Sequence, residues 1–309
     1  MDNTLSVYFN VDKTYITLVE RSKEGLKLKY LNSTDAPVLL ENPDDPDSVE
    51  GIKQLDNIIE NLKDDFQRIS VTLPSESTFV TQFPGKENIK RSELEKMVNL
   101  EISQIYPQYN MKEFSITIVP FLKNKKDKQN MLAVILSKEI IKNTNEIFAK
   151  HGFDIDNMEI SQLNAHSAFN YNYPDLSDQT VALMSMQDKF IDLSIIQNQL
   201  PVYYNLVSLR DPENIGEVIE KEYNKITSNF TENISSFYLF GSGLTKDLNM
   251  KCWETAMMLG VESKRLDPFR FLKTELDERD KEYCSRIFHL YPAPIGGCIP
   301  PKHERIKLA

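Results

Sequence analysis

The sequence has no run of about 18 apolar residues, so no segment qualifies as a membrane-spanning helix. Its start, MDNTLSVYFN, lacks both a basic flank and a long apolar stretch, so no secretory leader is expected and a cytoplasmic chain is. Cysteine is scarce. Cys252, Cys284 and Cys298 are odd in number, widely separated and without a CxxC pair, so reduced thiols are expected rather than a disulfide framework or a zinc site. Basic charge is in deficit: 36 Lys and Arg against 46 Asp and Glu leave a net charge of −10, which argues against a dedicated nucleic-acid binder. His151, His166, His289 and His303 show no metal-ligand spacing. There is no Walker-type loop and no Gly-x-Ser-x-Gly elbow, so nothing supports a P-loop NTPase or a hydrolase triad. What is present is ordinary for a protein with a real core: 40% hydrophobic and 27% charged residues over 309, enough for one large or two medium domains.

Two strand–turn–strand patterns organise this material. Leu5–Asn10 and Tyr15–Arg21 flank Val11-Asp12-Lys13-Thr14, and Val181–Ser185 and Lys189–Gln197 flank Met186-Gln187-Asp188. After the first hairpin come a strand carrying Leu26, Leu28 and Tyr30, an acidic proline-containing loop at 41–50, and a helix striped by Ile52, Leu55, Ile58, Ile59 and Leu62. A short strand at Arg68–Leu73, closed by Pro74, completes a β-β-β-α-β order.

Residues 84–160 read as an inserted α-β-β-α-β subdomain. Ser92 and Glu95 suggest a capping box for a helix with Leu94, Met97, Val98, Ile102 and Ile105 on one face, stopped by Pro107. The loop KNKKDKQ joins its first two strands, and Gly152 sits where the second helix ends. A connecting helix at 162–171 leads to the second half, with strands at 180–185, 189–197 and 200–208. A helix follows, announced by Asp211-Pro212-Glu213. Then come a strand at 235–240, Gly241-Ser242-Gly243, a helix to about Leu259, a strand at 261–266 and a last helix near 277–288.

The pair of hairpins suggests the duplicated core of an actin-like ATPase, and the whole chain resembles the PilM family of type IV pilus assembly and the cytoplasmic part of the type II secretion protein GspL. The resemblance rests on Asn10–Thr14 followed by Leu18-Val19-Glu20, on Val71-Thr72-Leu73-Pro74 with Phe83-Pro84, and on Leu100-Glu101 with Pro107. It continues through Phe240-Gly241-Ser242-Gly243, Asp267-Pro268-Phe269-Arg270 and Tyr291–Ile299, where Pro292 and Pro294 are expected to disturb a closing helix. It implies an α/β fold of two ribonuclease-H-like halves with an inserted small α/β subdomain and a reduced second-half subdomain. The expected divisions are 1–83, 84–160 and 161–309.

In that fold both turns grip phosphate, and here both depart from what phosphate needs. Asn10 and Asp12 stand where active members place an acid and a glycine. Ser185 and Gln187 do so in the second turn. A carboxylate with a Cβ at position 12 repels an anion that glycine would admit.

The candidate nucleotide contacts are therefore Asn10, Asp12, Lys13, Thr14, Gln187, Asp188, Gly241, Ser242 and Gly243. For Gly241–Gly243 the alternative is a tight β–α turn, and Asp12 and Asp188 are read either as a pair of metal-binding acids or, more plainly, as two exposed hairpin aspartates. No catalytic residue, no metal site and no resident ATP or Mg²⁺ are expected.

The resemblance also implies a groove for the N-terminal peptide of a membrane partner, to which Glu101, Ile105, Tyr106 and Pro107 would contribute. The plainer reading of Glu101 is a partly exposed helix end. Lys123, Lys125, Lys126 and Lys128 form either a lipid-touching tip or a solvated loop.

Three readings stay open. The first is a non-catalytic scaffold that docks a short cytoplasmic segment of an inner-membrane protein, with self-association in view. The second is a residual ATP binder or slow ATPase. The third is a stand-alone protein whose degenerate fold has drifted from pili.

Overall fold

Alternation of Leu5, Val7 and Phe9 with Ser6 and Tyr8 gives the first strand two different faces. In the computed structural model, which describes residues 2–308 except 86–88, 106, 108, 109, 125, 127, 210–213 and 232, that strand sits within a six-stranded sheet. β1 (Asp2–Phe9), β2 (Thr14–Ser22) and β3 (Gly25–Ser33) form an antiparallel meander. α1 (Pro46–Leu62) crosses over, and β4 (Arg68–Leu73) lies parallel to β1. α1 begins where the Asp45 carboxylate accepts from the Asp47 amide and proline occupies the first helical position.

The chain then passes through β5 (Phe79–Pro84), α2 (Arg91–Ile105), β6 (Phe114–Pro120), β7 (Asn130–Ser137) and α3 (Lys138–Ala149), and β8 (Asn157–Ile160) pairs parallel with β4. α4 (Ser161–Asn172) leads to a second meander of β9 (Thr180–Met186), β10 (Phe190–Gln197) and β11 (Leu200–Ser208). α5 (Ile215–Asn229), β12 (Ser236–Phe240), α6 (Lys246–Met258) and β13 (Glu262–Arg265) extend that sheet in parallel. The tail adds β14 (Lys273–Thr274), α7 (Glu278–Ile287), α8 (Pro292–Gly297) and β15 (Ile306–Lys307). The strand order β3-β2-β1-β4-β8 recurs as β11-β10-β9-β12-β13, so one topology is used twice.

The chain divides into two compact units. The first comprises Met1–Ser77, Glu139–Asp175 and Leu266–Pro301; the second comprises Thr78–Lys138, Leu176–Arg265 and Lys302–Ala309. In the first, Phe9 packs edge-on against Phe148 of α3. The opposite sheet face presents small hydroxyls, and this lets α8 lie almost on the strands: a Cβ on Gly297 would strike the Ser6 hydroxyl, and one on Gly296 would overlap the Asn164 carbonyl of α4. Asn164 is itself fixed by donating to Thr72 Oγ1 at 2.8 Å. In the second unit a four-stranded sheet, β15-β6-β7-β5, packs on α2 through Leu94, Val98 and Ile102. The Tyr204 amide of edge strand β11 donates to Gln82 Oε1 at 3.0 Å, covering a backbone group that would otherwise be open to pairing.

Several element-level expectations change. The excursion from the first sheet is shorter than 84–160: its sheet starts at Phe79, and the last strand read into it, β8, pairs with β4. α3 belongs with α1, where Lys150 and His151 meet Asp56 at 2.6 and 3.0 Å. Periodicity identifies an element without saying which sheet it joins. Nor is 161–309 one piece, because α4, α7 and α8 lie in the first unit and β15 pairs with β6 of the second. Pro292 and Pro294 do not disturb the closing helix, since both fall in its first turn, where the missing amide hydrogen has no intrahelical use. Ser92 lies within the first turn of α2, and Glu95 bonds to Arg91. Asp211, Pro212 and Glu213 lie outside the described residues, and α5 is described from Ile215.

Candidate functional site

The two hairpin turns close with the same backbone hydrogen bond. The Asn10 amide donates to the Lys13 carbonyl at 3.1 Å, and the Gln187 amide donates to the Phe190 carbonyl at 2.9 Å. Their side chains differ. In the first turn Asn10 is buried and fully engaged: its Oδ1 accepts from the Tyr8 hydroxyl at 2.9 Å, and its Nδ2 donates to Asp12 Oδ1 at 2.6 Å. Asp12 is exposed, as is Val11. Burial, and next the Asp12 charge, hold the Tyr15 hydroxyl above its ordinary value. Thr14 is buried, its amide donates to Thr34 Oγ1 at 2.9 Å, and its own hydroxyl is closed to solvent. Lys13 stands 3.9 Å from Asp35 on the surface, a contact of little energetic weight. The turn therefore presents a carboxylate outward and keeps its hydroxyl inward, the reverse of what a phosphate needs.

In the second unit the Gln187 side chain ties its own turn to the Gly-Ser-Gly segment. Its Nε2 donates to Ser185 Oγ at 2.8 Å, and its Oε1 accepts from Ser242 Oγ at 3.0 Å. The Gly-Ser-Gly segment closes over this turn. Gly241 has φ of +104° and a Cβ there would overlap the Met186 carbonyl oxygen, while a Cβ on Gly243 would come within 2.6 Å of the Gln187 carbonyl carbon. The Gly243 amide donates to the Met186 carbonyl at 2.9 Å. Both glycines are thus used for the approach of backbone to backbone. The helix end behind them is capped: Thr245 Oγ1 accepts from the Leu248 amide. Asp188 is exposed on the second unit and Asp12 on the first. Among the described residues no group of His, Cys, Asp or Glu is arranged to hold a metal ion.

The proposed partner-facing residues lie at the end of α2 in the second unit. Glu101 is half-buried beside the buried Ile102, and Pro107 is exposed. Tyr106 and the side chain of Ile105 lie outside the described residues. In the basic loop, Lys126 Nζ donates to Asn229 Oδ1 at 2.8 Å and the Lys126 and Lys128 amides donate to Asn124 Oδ1; Lys125 lies outside the described residues.

Sequence reasoning missed a cleft of about 250 Å³ in the first unit. It is lined chiefly by Phe9, Val11, Val38, Leu40, Pro74 and Ile140, and it opens beside the first turn. The signals were available: an apolar Val11 at a turn tip, and the apolar run at 38–40 just before the acidic 41–50 loop.

Comparison with known proteins places these features in context. A family model described as type IV pilus assembly protein PilM matches residues 12–231. No curated protein matches. Among solved structures, the PilM-PilN type IV pilus biogenesis complex aligns over 96% of this chain and 99% of that chain, with a TM-score of 0.73 at 13% identity. A Bacteroides thetaiotaomicron protein with an actin-like ATPase fold and unknown function aligns over 86% and 91%, with a TM-score of 0.54 at 13% identity. The ethanolamine utilization protein EutJ from Carboxydothermus hydrogenoformans aligns over 97% and 90%, with a TM-score of 0.51 at 8% identity. The repeated strand order is that of the duplicated, ribonuclease-H-like actin fold.

Proposed function

The chain belongs to the family of the type IV pilus assembly protein PilM, and from that premise we propose that it is a non-catalytic scaffold. It docks a short cytoplasmic segment of an inner-membrane partner in a pilus- or secretion-type machine and is held at the membrane by that partner. No helix among the described residues is long and apolar enough to cross a membrane. The observation that carries the non-catalytic part is the filled second turn, where Gln187 bonds Ser185 and Ser242 and Gly243 donates to Met186. A phosphate at that turn would have to displace protein hydrogen bonds, and at position 185 it would find a serine rather than an acid to hold a cation. The docking part draws support from the PilM-PilN complex, whose fold this chain shares.

Two surfaces offer contact for such a segment: the end of α2 with Glu101 and Pro107, and the apolar cleft beside Val11. A thermal shift with millimolar Mg-ATP tests the first part. The melting temperature stays unchanged; a clear rise restores the ATP-binding reading, because selective binding to the native state must stabilise it. Pull-down with the cytoplasmic N-terminal segment of a neighbouring-gene, single-pass membrane protein tests the second. Loss of capture in Glu101→Arg assigns the segment to α2, and loss in Val11→Asp assigns it to the cleft. No capture by the wild-type chain removes the docking reading.

A further inference from the structure

α6 buries one side, through Leu248, Cys252, Thr255 and Ala256, and leaves the other bare. On the bare side Met250, Trp253 and Met257 follow one another at spacings of three and four, a continuous stripe on a helix. They are 50%, 50% and 59% exposed, and Met258 beside them is 79% exposed. Trp253 is the chain's sole tryptophan. Tryptophan and methionine are among the residue types enriched at protein contacts, and here they lie exposed together on one helix face.

The charges around the stripe say what covers it. Lys246 and Lys251 are matched by Asp247 and Glu254, so the face has no net sign to attract a uniformly charged surface. Lys251 and Glu254 lie one turn apart on the same side of the stripe, and neither has an ion-pair partner among the described residues. A two-fold axis perpendicular to the helix, passing between them, brings each lysine opposite the other copy's glutamate. The same operation lays the two apolar stripes against each other.

We propose that α6 is the contact through which two copies of this chain pair antiparallel, with the Met250-Trp253-Met257 stripe at the centre and reciprocal Lys251–Glu254 pairs beside it. The contact is independent of partner docking. A single helix face is small by the standard of stable dimers, so the pairing is reversible and concentration-dependent.

Trp253 reports it directly. As concentration rises from micromolar toward millimolar, the mass seen in sedimentation doubles and the tryptophan emission moves to the blue. Lys251→Glu alone and Glu254→Lys alone each place like charges opposite one another and raise the dissociation constant about tenfold. An equimolar mixture of the two single variants restores pairing, because each then meets its opposite; their unchanged melting temperatures show that the fold is intact. A mass and an emission that do not change with concentration would falsify the proposal, and so would a mixture that pairs no better than its components. A blue shift produced only by anionic vesicles, and not by concentration, reassigns the face to lipid and overturns self-pairing.

Discussion

The two hairpin turns of this chain share a topology, a position in their sheets and a closing hydrogen bond, yet they are finished differently. The first, Asn10–Lys13, is locked from inside by Tyr8 and leaves Val11 and Asp12 at the surface beside an apolar cleft. The second, Gln187–Phe190, is roofed by Gly241–Gly243 and sealed by a glutamine side chain. A duplicated scaffold thus keeps one strand order while its two turns are finished by different side chains. On the proposed reading each turn disfavours phosphate by its own route: in one a carboxylate and a Cβ face outward, and in the other Gln187 and the Gly241–Gly243 backbone fill the turn.

The largest test of this contrast is at the roof. Gly241→Val puts a branched side chain at positive φ and against the Met186 carbonyl, and it lowers unfolding free energy by about 3 kcal/mol or more in chemical denaturation. Asp12→Gly, at the open turn, removes the hydrogen bond from Asn10 Nδ2 and costs about 1 kcal/mol. Equal effects would mean that the two turns are packed alike. Next, Gln187→Ala leaves the buried Ser185 hydroxyl and Ser242 without this partner and costs about 1–2 kcal/mol, with no change in the response to Mg-ATP.

Smaller again is a pH effect in the first unit. Burial raises the Glu76 carboxyl above the usual glutamate value. The native state then holds its proton more tightly than the unfolded chain, so this group's contribution to stability is lost as pH rises from the usual value through the raised one. Glu76→Gln removes that loss. It gains stability at neutral pH and nothing at acid pH, and a gain of the same size at both would sink the assignment.

The least change is expected at the thiols. Burial pushes Cys252, in the second unit, and Cys298, in the first, up to about 12. Neither reacts with an aromatic disulfide reagent at neutral pH until the chain unfolds. Reaction of one but not the other in the native state would show that one unit opens more easily.

Much of the fold was legible because alternation and helical stripes are local. Leu5, Val7 and Phe9 mark β1, Leu55 and Ile59 mark α1, and the order of strands in each half follows from their sequence. The identities of the turn residues, Asn10, Asp12 and Gln187, are read directly from the sequence, whereas the hydrogen bonds that engage them are not. The return of the chain to the first sheet at β8 was not, because a short apolar strand pairs wherever an edge is free. The prolines of α8 misled for a related reason: their effect depends on which turn of the helix they enter. The cleft beside Val11 needed residues from β1, the 38–42 loop and α3 to come together.

By itself the sequence determined that this chain forms two hairpin-led halves and that Asn10, Asp12, Ser185 and Gln187 stand in their turns, with no glycine in either. Only the tertiary structure decided what Gly241 and Gly243 are for. A glycine permits close approach and is silent about what approaches; here it is the backbone of Met186 and Gln187. It also decided that Trp253 faces outward, because burial depends on which side of α6 meets the sheet.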